Sequence, residues 1–198
     1  MRTLLAICLT AACLAGHDHI DTRLSVADIH GRMQQPFAPA EGKLSALFFI
    51  TADCPISNYY AAEIRRICTR QAGRLTCYLI YTDPTLSVDA IEKHKAEYGH
   101  GDYAAIFDQK QLLVKAAGAT VTPEAALVNA AGELIYRGRI DDSYASWGKR
   151  RVVFTDHNLT DAIDATLSGK PIAQPRTKAT GCFITPVEML KNIRPDLQ

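Results

Sequence analysis

This sequence predicts an α/β fold, a mixed central sheet flanked by helices, and three features carry that expectation. Leu44-Ser45-Ala46-Leu47-Phe48-Phe49-Ile50 is a near-continuous apolar run. It is too uniform for a strand with one wet face and suits one buried on both, as in a parallel sheet. Strand-like and helix-like segments then alternate as far as Tyr98, the order that builds a parallel sheet through right-handed crossovers. Last, residues 125–129 and 134–140 read as strands joined only by Ala130-Ala131-Gly132-Glu133. That joint is short enough for a hairpin, which adds antiparallel strands to the sheet. The 198 residues suit one domain, and 47% hydrophobic content is ordinary for a folded chain.

Taken in order, residues 17–40 are polar and mixed, with a short strand at 24–29 and a turn at Gly31. After the buried strand a helix is expected from residue 55 to about 68. Pro55 suits a first helical turn, Ile56, Tyr59, Tyr60, Ile64 and Ile67 fall near helical spacing, and Gly73 lies just beyond. Residues 75–81 are rich in β-formers, and Asp83-Pro84 is a turn. Ser87 is placed to cap a helix running to Tyr98, with Val88, Ile91 and Lys95 on one face. His94 and His100, near that helix end, are expected to face water. Ile106-Phe107 reads as a short strand and residues 112–117 as a short helix ended by Gly118. Leu159, Ile163 and Leu167 mark a last helix, closed by Gly169 and Pro171. The domain is thus residues 17–169. A tail, residues 170–198, carries Pro171, Pro175 and Pro186 and is expected to be extended, either laid over the domain or loose.

The first sixteen residues read as an export signal. Arg2 is a positive start, residues 4–14 are apolar, and Ala11, Ala12, Ala15 and Gly16 are small. The stretch is too short to span a bilayer comfortably. A buried N-terminal helix fits less well, because Gly16-His17-Asp18-His19 turns abruptly polar. Leu9-Thr10-Ala11-Ala12-Cys13 resembles a lipoprotein signal whose usual Leu sits one place too early, so lipid anchoring at Cys13 is the second choice behind periplasmic export. Against 22 Lys and Arg stand 21 Asp and Glu, and removing Arg2 with the signal leaves no net charge. That balance gives no reason to expect nucleic acid or an anionic membrane as partner.

Export changes how the cysteines are read. Cys54, Cys68, Cys77 and Cys182 remain, an even number in an oxidising compartment, and three pairings are open to them. The informative segment is Thr51-Ala52-Asp53-Cys54-Pro55-Ile56-Ser57-Asn58, where a buried strand hands over to a helix. A cysteine there meets unsatisfied backbone N–H groups and the positive end of the helix dipole, which favour the nucleophilic thiolate. Asp53 would oppose that thiolate if it pointed inward and is expected to face solvent. A second signal is Val121-Thr122-Pro123 just before a strand.

With both motifs in place, residues 44–140 resemble the thioredoxin-fold redoxins, the group of thioredoxins, cytochrome-maturation thiol oxidoreductases and peroxiredoxins. The whole-chain pattern is similar to the exported redoxin or alkyl hydroperoxide reductase/thiol-specific antioxidant group. The resemblance implies a thioredoxin-like fold, a reactive Cys54, and a cis-proline at Pro123 facing it, with Thr122, Pro123 and Pro55 around the bound partner. The usual Cys-x-x-Cys is here Cys54-Pro55-Ile56-Ser57, so the nearby second thiol is replaced by Ser57, which can donate a hydrogen bond to a thiolate. Thr51-x-x-Cys54 resembles the peroxiredoxin Thr-x-x-Cys, but Leu47 stands where that family has a proline, and no matching Arg is found at the Thr122-Pro123 loop.

Three functions follow. The first is thiol–disulfide exchange on exported protein thiols and disulfides, with an unidentified reductant. The second is hydroperoxide reduction through a sulfenic acid. The third is a non-enzymatic metal or copper-handling module, against which stands the lack of the Cys-x-x-x-Cys pair those relatives use. No cofactor and no metal are expected. A monothiol site cannot release a mixed disulfide locally, so Cys182 is the expected resolving thiol. Gly181 frees the backbone of the tail there, and Phe183 and Ile184 offer an apolar grip on the domain. The alternative is a lone surface thiol or an intermolecular bridge. Cys68 and Cys77 flank one turn and read equally as a structural disulfide or two buried thiols. His17-Asp18-His19 reads as solvated linker and His157 as a capping or site residue. Residues 137–151, with Asp141-Asp142, Trp147 and Lys149-Arg150-Arg151, read as a solvated loop or a partner-docking insertion.

Overall fold

The computed structural model describes residues 20–193. The expected export signal, Cys13 and the His17-Asp18-His19 cluster lie outside the described residues. The chain opens with a ribbon of β1 (Val26–Ala27) and β2 (Met33–Gln34), whose turn is tied by the buried Asp28 carboxylate accepting from His30 N, Arg32 N, Arg32 Nε and Gln34 Nε2. There follow β3 (Leu44–Ile50), α1 (Pro55–Tyr59), α2 (Ala61–Arg70), β4 (Leu75–Tyr81) and α3 (Val88–Glu97). Next come β5 (Ala104–Phe107), α4 (Leu112–Ala117), β6 (Val121–Thr122), β7 (Glu124–Val128) and β8 (Leu134–Gly138). The chain continues through β9 (Tyr144–Ser146), β10 (Lys149–Arg150), α5 (Asn158–Leu167), β11 (Cys182–Phe183) and α6 (Val187–Ile193).

The apolar run forms the middle of a five-stranded sheet of order β5-β4-β3-β7-β8. Strand β3 is parallel to β4 and antiparallel to β7, β4 is parallel to β5, and the β7–β8 hairpin closes the other edge. All of β3 is buried, because its alternating side chains feed two cores. Phe48 and Ile50 pack with Ile64 and Ile67 of α2 and with Leu159 and Ile163 of α5. Leu47 and Phe49 pack on the opposite face with Leu113 and Val114 of α4. Each fully buried Phe contributes roughly 1.5–3 kcal/mol. Helix α4 begins where the buried Asp108 carboxylate accepts from the amides of Leu112, Leu113 and Val114 at 2.8–3.0 Å.

The tail is laid over the domain. Pro175 O accepts from Arg137 N, and Thr177 N and Oγ1 reach the 136–139 backbone and the Tyr136 hydroxyl. Further on, Cys182 pairs antiparallel with Thr122 and Phe183 with Val121. Gln111 then grips the tail twice, donating to Thr185 O at 2.8 Å and accepting from Val187 N at 2.9 Å.

Several expectations need correction. The helix expected over 55–68 is two helices meeting at Tyr60, whose buried ring sends its hydroxyl to Asp141 Oδ1 at 2.7 Å. The tail is not extended throughout, since α6 follows Pro186. Phe183 does not grip the domain: it is 87% exposed, and Ile184 alone packs against a core. His94 and His100 do not face water but are 5% and 1% exposed. Asp141 and Asp142 are likewise buried, because they accept backbone amides of Ser143, Thr155 and Asp156. Only the β9–β10 end of that loop is solvated, with Trp147 62% exposed.

Candidate active site

The site grows out of the end of β3. The strand stops at Ile50, and residues 51–53 turn the chain so that Cys54 stands at the start of α1 in extended conformation, with Pro55 in the first helical turn. No side chain caps this helix, so its first N–H groups remain available to whatever sits at Cys54. Helix α1 has five residues, but Tyr60 N still donates to Ile56 O and Ile64 N to Tyr60 O, which carries the turn into α2.

Facing this helix start is the β6–β7 corner. Its Thr122–Pro123 peptide bond is cis, and the Thr122 carbonyl oxygen lies 3.2 Å from Cys54 Sγ. A residue that the sequence reading passed over holds the corner. Buried Glu124 accepts from Thr120 N at 2.8 Å and Val121 N at 3.4 Å, with Arg137 Nε 3.6 Å from its other oxygen. Acidic residues next to a Thr-Pro step carry no distinctive signal in sequence, and only the fold brings Arg137 to it.

Cys54 is joined to Cys182 in a disulfide with Cα atoms 6.3 Å apart across 128 residues of sequence. The tail makes this reach because Gly181 passes directly over the Thr122–Pro123 bond; a Cβ at Gly181 would overlap the Thr122 carbonyl. Cys54 is 1% exposed beneath this cover, while Cys182 is half-buried. The remaining pair, Cys68 and Cys77, forms a second disulfide between α2 and β4 with Cα atoms 6.2 Å apart.

The other expected site residues are engaged in different ways. The buried Ser57 hydroxyl, one turn along from Cys54, has no hydrogen-bond partner among the described residues. An unpaired buried hydroxyl costs about 1–3 kcal/mol. The Thr51 hydroxyl is committed elsewhere, donating to exposed Asp53 at 3.0 Å. His157 is exposed, makes no cap and rests against Phe154.

A polar chain behind the loop was also missed. Asn58 Nδ2 donates to Ala52 O at 3.0 Å, so its Oδ1 is the acceptor that faces His94 Nε2 at 2.8 Å. Nε2 therefore carries the proton, and Nδ1 accepts from the Tyr81 hydroxyl at 2.8 Å. The direction Tyr81 to His94 to Asn58 to Ala52 is fixed for neutral His94. Burial holds both histidines below the ordinary range, His100 down to about 4, with His94, Lys95 and Arg65 adding to the effect on His100.

No protein-family model and no curated protein matches the chain. Solved structures do. A hypothetical protein from Sinorhizobium meliloti superposes with a TM-score of 0.70 at 23% identity, over 88% of this chain and 95% of its own. An uncharacterised conserved protein from Geobacillus kaustophilus gives 0.73 at 19% identity, over 91% and 97%. A secreted Mycobacterium tuberculosis disulfide oxidoreductase described as homologous to Escherichia coli DsbE gives 0.52 at 14% identity, over 75% and 96%. The fold is therefore the thioredoxin fold of the thiol–disulfide oxidoreductases. Among the described residues, no helix is long and apolar enough to cross a membrane.

Proposed function

We propose that this chain is an exported thiol–disulfide oxidoreductase in which Cys54 is the nucleophile and Cys182 the resolving thiol. The observation that carries the reading is the Cys54–Cys182 bond itself, made at a helix start under a cis-proline corner. In the reduced protein the Cys54 thiolate attacks one sulfur of a substrate disulfide. A mixed disulfide forms and the other substrate sulfur leaves as thiolate. Cys182 then attacks Cys54 Sγ, the second substrate thiolate leaves, and the protein holds the Cys54–Cys182 disulfide. One substrate disulfide is reduced and one protein disulfide is formed. Ser57 and the first amides of α1 hold the Cys54 thiolate, while Thr122 and Pro123 shape the mouth.

Supporting exchange over peroxide chemistry is the Thr51 hydroxyl, which is engaged with Asp53 rather than free to orient a peroxide. In this reading the two thiols carry the electrons and no cofactor is used. Residues 1–16 would be the export signal, 17–169 the catalytic domain and 170–198 the tail that brings the second thiol.

The test is alkylation of the reduced protein against pH, paired with disulfide-reductase and peroxide-consumption assays. One thiol should react fast well below the ordinary cysteine pKa of about 8.5. Cys54→Ser should remove that phase and all disulfide reduction. A fast phase surviving in Cys54→Ser, or peroxide consumption without disulfide reduction, would overturn the proposal.

A further inference from the structure

We propose that the thiol of the reductant that recycles the protein opens the oxidised form at Cys182, not at Cys54, and approaches through the basic, aromatic groove beside the tail. This rests on the reading of the Cys54–Cys182 pair as redox-active.

The two sulfurs are unequally placed. Cys54 is 1% exposed, roofed by the tail. Cys182 is half-buried and lines a hollow on each side. One hollow, about 730 Å³, is bounded by Tyr144, Trp147, Arg151, Lys178 and Phe183. The other, about 320 Å³, is bounded by Asp53, Asp83, Thr85 and Ile184. Their charges are opposite: the first has Arg139, Arg151 and Lys178 and no carboxylate on its wall, the second two carboxylates and no base. Arg139 is engaged with Asp156 and Asn158, and Arg151 lies 3.5 Å from Asp142. Exposed Lys178 makes no ion pair among the described residues and leaves the groove net positive.

The attacking species in disulfide exchange is a thiolate, an anion. A basic wall draws it in and an acidic wall turns it away. Exposed Trp147, 62% accessible, stands beside the same groove, and Phe183, 87% accessible, stands between the two hollows; both rings suit apolar residues flanking the thiol. The occupant is therefore a thiol carried on an acidic or neutral, partly apolar segment.

The step balances. The incoming thiolate forms a bond to Cys182 Sγ, the Sγ–Sγ bond to Cys54 breaks, and its electron pair stays on Cys54 as thiolate. That leaving group is received at the helix start beside the unpartnered Ser57 hydroxyl. A second thiolate then attacks the incoming sulfur, Cys182 leaves, and two thiols have become one disulfide. The labour is divided between two partners: reduced protein meets the substrate disulfide with Cys54, and oxidised protein meets the thiol of a separate reductant with Cys182.

The experiment uses the oxidised protein and 2-mercaptoethanesulfonate, an anionic monothiol. The reaction is quenched early in acid with N-ethylmaleimide and the peptides are mapped. Expected are the mercaptoethanesulfonate adduct on Cys182 and maleimide on Cys54. The reverse pattern, or equal adducts on both at the earliest time, would overturn the inference while leaving the pair redox-active. A native disulfide that mercaptoethanesulfonate never opens would overturn both this inference and the proposed function. Lys178→Glu should slow mercaptoethanesulfonate severalfold and leave cationic cysteamine unchanged or faster. Equal effects on the two thiols would overturn the groove assignment.

Discussion

The two disulfides have nearly the same local span, with Cα separations of 6.2 and 6.3 Å, but opposite surroundings. Cys68 and Cys77 are nine residues apart, 5% and 7% exposed, and join a helix to a central strand inside one core. If that bond opens, sheet pairing and core packing still hold both ends in place. Cys54 and Cys182 are 128 residues apart, and one end rests on a two-residue strand in the tail. If that bond opens, Cys182 itself is held by a two-residue pairing with β6, and the tail beyond it by the Gln111 contacts, the Lys115–Glu188 ion pair and the packing of Ile184. Loop-closure entropy runs the other way, about 3 kcal/mol for the short loop and about 5 for the long one. Stabilisation by a crosslink and its chemical reactivity are therefore separate quantities. The first follows loop length, and the second follows access and what the freed end can do.

The sharpest way to break this contrast is to remove one bond at a time. Cys182→Ser should lower multiple-turnover disulfide exchange by about a hundredfold or more, with Cys54 adducts of substrate accumulating. Cys77→Ser should leave exchange within about twofold while lowering the melting temperature by about 5–10 °C, from the loss of roughly 3 kcal/mol. Equal loss of exchange in both variants would erase the distinction.

A smaller effect tests whether packing of the tail holds the long bond closed. The Gly181 backbone lies against the Thr122 carbonyl with no room for a Cβ. Overpacking of this kind costs about 1–3 kcal/mol. Gly181→Ala should therefore make Cys54–Cys182 about tenfold easier to reduce in equilibrium with glutathione and leave Cys68–Cys77 unchanged. An unaltered glutathione equilibrium would mean that the tail contributes nothing to closure.

These two regions also differ in how much of them could be read beforehand. Strand β3, the α4 segment, the hairpin and the Ser87 cap are written in local patterns: an apolar run, a Gly stop, a short joint, a side chain that accepts from Ala90 N. The pairing of Cys54 with Cys182 was one of three arrangements open to four cysteines, and the tail's Gly-Cys step was its local clue. Polar burial escaped the reading. His94, His100, Asp141 and Glu124 look like surface residues because the partners that make burial tolerable lie far along the chain: Tyr81 and Asn58 for His94, Tyr60 for Asp141 and Arg137 for Glu124. The break at Tyr60 escaped for the same reason, since helical spacing continues through it.

The buried histidines give the subtlest test, because His94 is hydrogen-bonded to Asn58 in the helix that Cys54 starts. Both have folded pKa values held below the ordinary 6.5, so the unfolded chain takes up their protons first. Their contribution to stability is whole above about pH 6.5 and is lost as pH falls, for His100 down to about 4. Around His94 stand Tyr81 from β4, Asn58 from α1, Tyr98 and Glu97 from the end of α3, and His100. Glu97 alone among these favours the cation. A protonated ring also turns Nδ1 into a donor, which forces the Tyr81 hydroxyl to give up its present direction. Strain on that chain reaches Ala52 through Asn58. Between pH 7 and pH 5, amide exchange corrected for intrinsic rate should therefore quicken severalfold at Asn58, whose N–H is bonded to Cys54 O. At Cys77, within the β3–β4 pairing, it should stay unchanged. The double variant His94→Gln, His100→Asn has no group to protonate there and should lose the pH dependence at Asn58. Equal quickening at both sites, or quickening that survives in the double variant, would assign the acid response to something other than these histidines.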